Sequence, residues 1–181
     1  ILQKFGGMAV SSKELMSWSN QEGRDKVRDV EVVYIYHDTI DAIGDKAATE
    51  EKTFEACRSA IEELKDLVGR VINRLNGSRV VITADHGFLF QQKALVAADK
   101  TSLKTKPAGA IEAKKRYIVG SNLPSDEACW KGSINDTAHG SSDTEFLLPK
   151  AAQRFHFVGG AKFVHGGAML QEVCVPVLHV R

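Results

Sequence analysis

The chain of 181 residues is 43% hydrophobic and 26% charged, with 24 Lys plus Arg against 23 Asp plus Glu and a formal net charge of +1. This length suits one compact unit with a proper core, and the composition excludes a disordered, collagen-like or coiled-coil chain. Near-neutral charge leaves no global field that selects nucleic acid, membrane or acidic partners, so any such attraction must be local.

Cys57, Cys129 and Cys174 are odd in number and widely spaced, with neither a zinc nor a redox Cys pair, and a reducing cytoplasm is the expected setting. No apolar run reaches the ~20 residues of a membrane span. The chain opens on Ile1 rather than Met, as a fragment of a longer protein would.

Residues 1–29 read as a lead-in helix and turn. Ser11 or Ser12 followed by Glu14 marks a capped helix start, with Leu15, Met16 and Trp18 to bury. The run Val32-Val33-Tyr34-Ile35-Tyr36 is β-branched and aromatic without polar interruption, which predicts a strand buried on both faces. Phe54, Cys57, Ile61, Leu64, Val68, Val71 and Leu75 then step by three and four, the pattern of a long amphipathic helix ended by Asn76-Gly77. Arg79-Val80-Val81-Ile82-Thr83 reads as a second buried strand. Strand, helix, strand with short links predicts a right-handed crossover in an α/β fold with a largely parallel sheet and flanking helices.

Residues 91–115 carry six Lys against Asp99 and Glu112 and read as a mobile basic insertion that could track a nucleic-acid backbone. Arg116 opens a further expected strand and is placed to reach a substrate phosphate. Residues 121–142 read as a polar loop. Residues 155–164 read as a hairpin around Gly159-Gly160, followed by a short helix and a last strand with Cys174 buried in it.

Ligands in open parallel sheets bind beyond the carboxyl ends of strands. Three such places carry suitable side chains: His37-Asp38-Thr39-Ile40-Asp41 with Asp45, then Asp85-His86-Gly87, then His165-Gly166-Gly167. Asp41 and Asp45, four apart, share one face of a helical turn, and Gly87 lets Asp85 and His86 turn toward one cation. Each group alone also has a structural use, as a cap, a turn former or a loop histidine.

The motif Ala84-Asp85-His86-Gly87, with His165-Gly166-Gly167 some eighty residues later and then Glu172-Val173-Cys174-Val175-Pro176, resembles the metal-binding end of the alkaline phosphatase superfamily. Within it, Tyr36-His37-Asp38-Thr39-Ile40-Asp41 ahead of the long helix and Asp85-His86-Gly87-Phe88-Leu89 behind it resemble the PglZ domain of bacterial BREX phage-defence proteins. The resemblance covers residues 30–181 and implies the C-terminal half of an alkaline-phosphatase-like fold. It also implies two divalent ions, Zn or Mn, and action on phosphate esters or DNA with a Thr or Ser nucleophile upstream of this sequence. By position, Asp85 and His86 match ligands of the ion that activates the nucleophile, His165 a ligand of the other, and Asp41 the first residue of an Asp-x-x-x-His element. Asp45 stands where relatives carry His, a harder donor that favours Mn or Mg over Zn, with His37 and Asp38 as second choices. The implied partners are other BREX proteins in the cytoplasm. The competing reading is a non-catalytic assembly module of the same complex with a structural or vestigial metal site.

Overall fold

A computed structural model describes residues 2–93, 96–155 and 162–181, the Gln3 side chain excepted. They fall into two compact units, Ile1–Thr83 with Val177–Arg181, and Ala84–Pro176.

In the first unit β1 (Gly7–Ser11) leads through α1 (Ser12–Ser17) and α2 (Asn20–Val27) to β2 (Val32–Tyr36). Both helices start on a serine cap: the Ser11 hydroxyl accepts from the Glu14 N–H, and Ser19 forms a reciprocal capping box with Glu22. α3 (Thr39–Gly44) and α4 (Thr53–Arg74) follow, then β3 (Val80–Thr83). β1 and β2 pair in parallel, Ala9 opposite Tyr34. Their Val10, Val33 and Ile35 side chains join Leu15, Trp18, Leu67 and Leu75 in one core. The opposite face of β2, with Val32, Tyr34 and Tyr36, stays 53%, 47% and 56% exposed. The run expected to be buried on both faces is thus covered on one, because the helices of this unit pack only beneath Val33 and Ile35.

α4 confirms the long helix and part of its stripe, since Leu64 and the following Leu75 pack in the core. Its buried line is Thr53, Ala56, Ala60 and Leu67, while Phe54 and Ile61 lie exposed. Small Ala56 and Ala60 let the helix backbone approach closely, which rotates the larger residues to the flank.

The second unit holds β4 (Leu89–Phe90), β5 (Ala110–Ala113), β6 (Ile118–Gly120), β7 (Cys129–Ser133), α5 (Ile134–Ala138), β8 (Glu145–Pro149), β9 (Phe163–Val164) and α6 (Leu170–Val173). β10 (Val177–Val180) returns to the first unit and pairs antiparallel with β3. The order β5-β6-β8-β7 forms a four-stranded antiparallel sheet over a core of Ile118, Leu123, Cys129, Leu147 and Phe155. Burial pushes the Cys129 thiol up to about 12, with the nearby Asp126 charge adding to it.

The fold is therefore mixed α/β, but the described strands do not form a largely parallel sheet: β1–β2 is the one parallel ladder among named strands, and the others are antiparallel. A parallel partner needs a crossover of a dozen or more residues, whereas Ala113 and Ile118 are joined by four. β2 and β3, expected as neighbours across α4, instead pair with β1 and β10.

Other expectations change as well. Part of the basic insertion is ordered as β5, and β7 with α5 lies inside the expected polar loop. The Gly159-Gly160 turn lies outside the described residues, while β9 pairs with β4. Cys174 is exposed, since it follows α6 at the surface instead of lying within β10.

Candidate functional site

In the first unit, α3 orders the carboxylates that follow β2. Asp38 occupies its N-cap position without a side-chain cap bond, Asp41 lies in the first turn, and Asp45 closes the helix by donating its N–H to the Asp41 carbonyl at 3.0 Å. The i, i+4 relation expected of Asp41 and Asp45 is thus present. His37 is engaged elsewhere: its Nε2 lies 2.6 Å from Glu63 Oε2, and the Thr39 hydroxyl donates to the same oxygen at 2.9 Å. Thr39 and then His37 hold the Glu63 carboxyl below the usual carboxylate range. Glu63 lies on the polar side of α4, and its spacing from His37 gave no sequence signal of this contact.

In the second unit, Asp85-His86-Gly87 leaves β3 and turns immediately. Asp85 Oδ1 accepts from the His86 N–H at 3.0 Å, and His86 Nδ1 lies 3.1 Å from the Gly87 carbonyl oxygen. A proton on Nδ1 donated to that oxygen leaves the ring lone pair on Nε2, the form a metal-ligating imidazole needs. Asp85 is 83% exposed, and its Oδ2 lies 3.8 Å from His86 Nε2. Donors each about 2.1 Å from one ion lie within about 4.2 Å of one another, so this pair has the reach to share a cation.

His165 lies against His86, ring centroids 4.2 Å apart and planes within 2° of parallel. An ion sits in the plane of the imidazole that ligates it, and two parallel stacked planes share no point. His86 and His165 as arranged therefore suit two different ions. Among the described residues no group of three His, Cys, Asp or Glu side chains gathers into a ligand cluster. The donor chemistry, carboxylate beside imidazole, fits divalent zinc or manganese.

Arg116 corrects the expectation of a phosphate contact. Its side chain is 0% exposed and forms a fork on Glu172, itself 1% exposed, with Nε to Oε1 at 2.9 Å and Nη2 to Oε2 at 2.7 Å. Further donors go to the carbonyls of Gln153 and Ala151. Arg116 lies in the bend before β6 and points inward, buried like Ile118 two residues on. Burial raises the Glu172 pKa, but the Arg116 bonds and charge and the N–H groups of Gly167 and Met169 outweigh it, so the carboxyl ends below its ordinary value.

A family model described as the BREX system PglZ alkaline phosphatase-like domain matches residues 1–180. The chain belongs to that family. Over 181 residues it is 63% identical to alkaline phosphatase-like protein BrxZ of Escherichia coli O9:H4 (strain HS), a match covering 100% of the chain and 21% of that protein. Over 171 residues it is 39% identical to alkaline phosphatase-like protein PglZ of Bacillus cereus (strain H3081.97), covering 94% of the chain and 20% of that protein. The chain thus spans about a fifth of the length of these curated relatives. In this PglZ-family chain no helix among the described residues is long and apolar enough to cross a membrane.

Proposed function

We propose that this PglZ-family chain supplies the metal-binding C-terminal part of a metal-dependent phosphatase or phosphodiesterase, nucleases included, that works in cytoplasmic BREX defence beside other BREX proteins. In this reading Asp85 and His86 ligate one divalent ion and His165 a second. Two such ions, Zn or Mn, supply charge neutralisation to a phosphoryl group and lower the pKa of an attacking oxygen. The observation that carries the proposal is the parallel His86–His165 stack, which suits two ions and not one, beside a carboxylate within reach of His86. The nucleophile belongs to a part of the parent protein outside this sequence, so the chain by itself is inactive. Exposed Lys100, Lys104, Lys106 and Lys114 favour an anionic polymer such as DNA among phosphodiester substrates.

Calorimetric titration of zinc and manganese into the 181-residue chain, beside Asp85→Ala, His86→Ala and His165→Ala, tests this. Two classes of saturable site are expected, with His165→Ala removing one and His86→Ala the other. Loss of both classes together in either variant contradicts assignment to separate ions. No binding by the folded chain removes the metal reading for this chain and leaves a second reading, a non-catalytic assembly module. The apolar Val32, Tyr34 and Tyr36 face favours that alternative.

A further inference from the structure

Two loops carry the stacked imidazoles, and the same residue reaches both. Glu172 in α6 uses its side chain on the His165 loop: Oε1 accepts from the Gly167 N–H at 2.9 Å and Oε2 from the Met169 N–H at 3.1 Å. Its backbone carbonyl accepts from the Gly87 N–H at 2.8 Å, one residue beyond His86. The approach there is close: a Cβ on Gly87 would lie 2.1 Å from the Gln171 carbonyl oxygen, so only glycine lets the His86 turn rest on α6. The carboxylate is in turn fixed by the Arg116 fork, and a Cβ on Gly167 would sit 2.6 Å from both Arg116 Nη2 and Glu172 Oε2. Gly166, with φ of +92°, gives the loop the left-handed turn that brings Gly167 against this pair.

We infer that Glu172, held by Arg116, is a positioning residue that sets the His86 and His165 imidazoles in register for two ions. The inference rests on the metal-site reading above. A fully buried carboxylate with each oxygen accepting two donors has one orientation, and it ties the His165 loop, through Gly167 and Met169, to the residue whose own backbone carbonyl holds Gly87 beside His86. Glu172→Gln keeps the shape but replaces one acceptor oxygen by an NH2 group that faces N–H donors. The His165 loop loses its side-chain tie to the residue that holds the His86 turn, while both histidines remain.

The experiment pairs two readouts on the 181-residue chain. The first is the ring Cε1–H signals of the histidines in metal-free protein, assigned with His86→Ala and His165→Ala. In Glu172→Gln, folded by circular dichroism, the His86 and His165 signals lose the mutual ring-current shift of the stack, while His37 and His179 keep their positions. The second readout is zinc affinity by calorimetry, expected to fall by about 10- to 100-fold, as when other groups that orient metal-ligating histidines are removed. Arg116→Lys keeps the charge without the fork and gives a smaller change in the same direction, which covers the case in which Glu172→Gln fails to fold. Unchanged His86 and His165 signals or unchanged zinc affinity in a folded variant overturn the inference, since a role in stability alone moves neither. If the wild-type chain binds no zinc, the metal reading fails, and the ring signals alone decide whether Glu172 sets the stack.

Discussion

Each unit contains a carboxylate pinned by a cationic or imidazole partner and a hydroxyl or backbone donor, and the two differ chiefly in depth. In the first, His37 and Glu63 lie 2.6 Å apart with side chains 11% and 49% exposed. In the second, Arg116 and Glu172 are fully enclosed and meet through two parallel bonds. A short distance therefore says little by itself about energetic weight. Water screens the first pair and relieves either partner when the other is lost, whereas the second has no solvent to fall back on.

The largest expected effect follows from that difference. Glu172→Ala leaves the Arg116 guanidinium buried without its counter-charge and is expected to destabilise the second unit by about 3–5 kcal/mol. Trp130 lies in this unit and Trp18 in the other, so denaturant unfolding of a Trp18→Phe background reads it selectively. Gly87→Ala comes next, at about 1–3 kcal/mol, because the added methyl meets a backbone carbonyl that has little room to shift. Thermal unfolding followed by Trp130 fluorescence measures it.

Acid sharpens the comparison further. The Glu172 carboxyl is held below its ordinary value of 4.5, so the unfolded chain binds its proton more tightly than the folded one. The corresponding stability is fully present above that value and is lost as pH falls through the lower folded-state pKa. Denaturant midpoints reported by Trp130 should fall across this acid range, and Glu172→Gln should flatten the dependence. The smallest effect belongs to Glu63→Ala, expected to cost less than about 1 kcal/mol because the group is half exposed. A loss as large as that of Glu172→Ala, measured by denaturant unfolding on Trp18 fluorescence, would show that exposure is not what separates the two pairs.

Much of this was legible in the residues themselves. The Ser11 cap, the reach of α4, the β2 and β3 strands and the Asp85-His86-Gly87 turn follow from local patterns that need no partner, whereas α2 with its Ser19 cap lies in a stretch that reads as a charged turn. β1 was silent because Gly7, Ala9 and Ser11 carry no strand signature of their own, and its place depends on the register against β2. β7 and β8 were hidden in polar or Pro-ended stretches, since an antiparallel strand inside a four-stranded sheet needs only Leu147 and Cys129 to face the core. The sheet direction was misjudged for the same reason: hydrophobic runs report burial, not which neighbour a strand will choose.

For the candidate site, motif and spacing single out Asp41, Asp45, Asp85, His86 and His165 as ligand-type side chains, because ligand chemistry is a property of side-chain type. The direction of Arg116 was not, nor was its union with Glu172 across 56 positions. Ligand-type side chains, helix starts and apolar faces are consequences of side-chain type and of neighbours within a few residues, and so are legible without a fold. That two histidines 79 positions apart lie parallel, and that one buried glutamate holds one of their loops by its carboxylate and the other by its backbone carbonyl, is a matter of long-range packing alone. Those relations are set by long-range packing and by the requirement that a buried charge find its partner wherever the chain brings it.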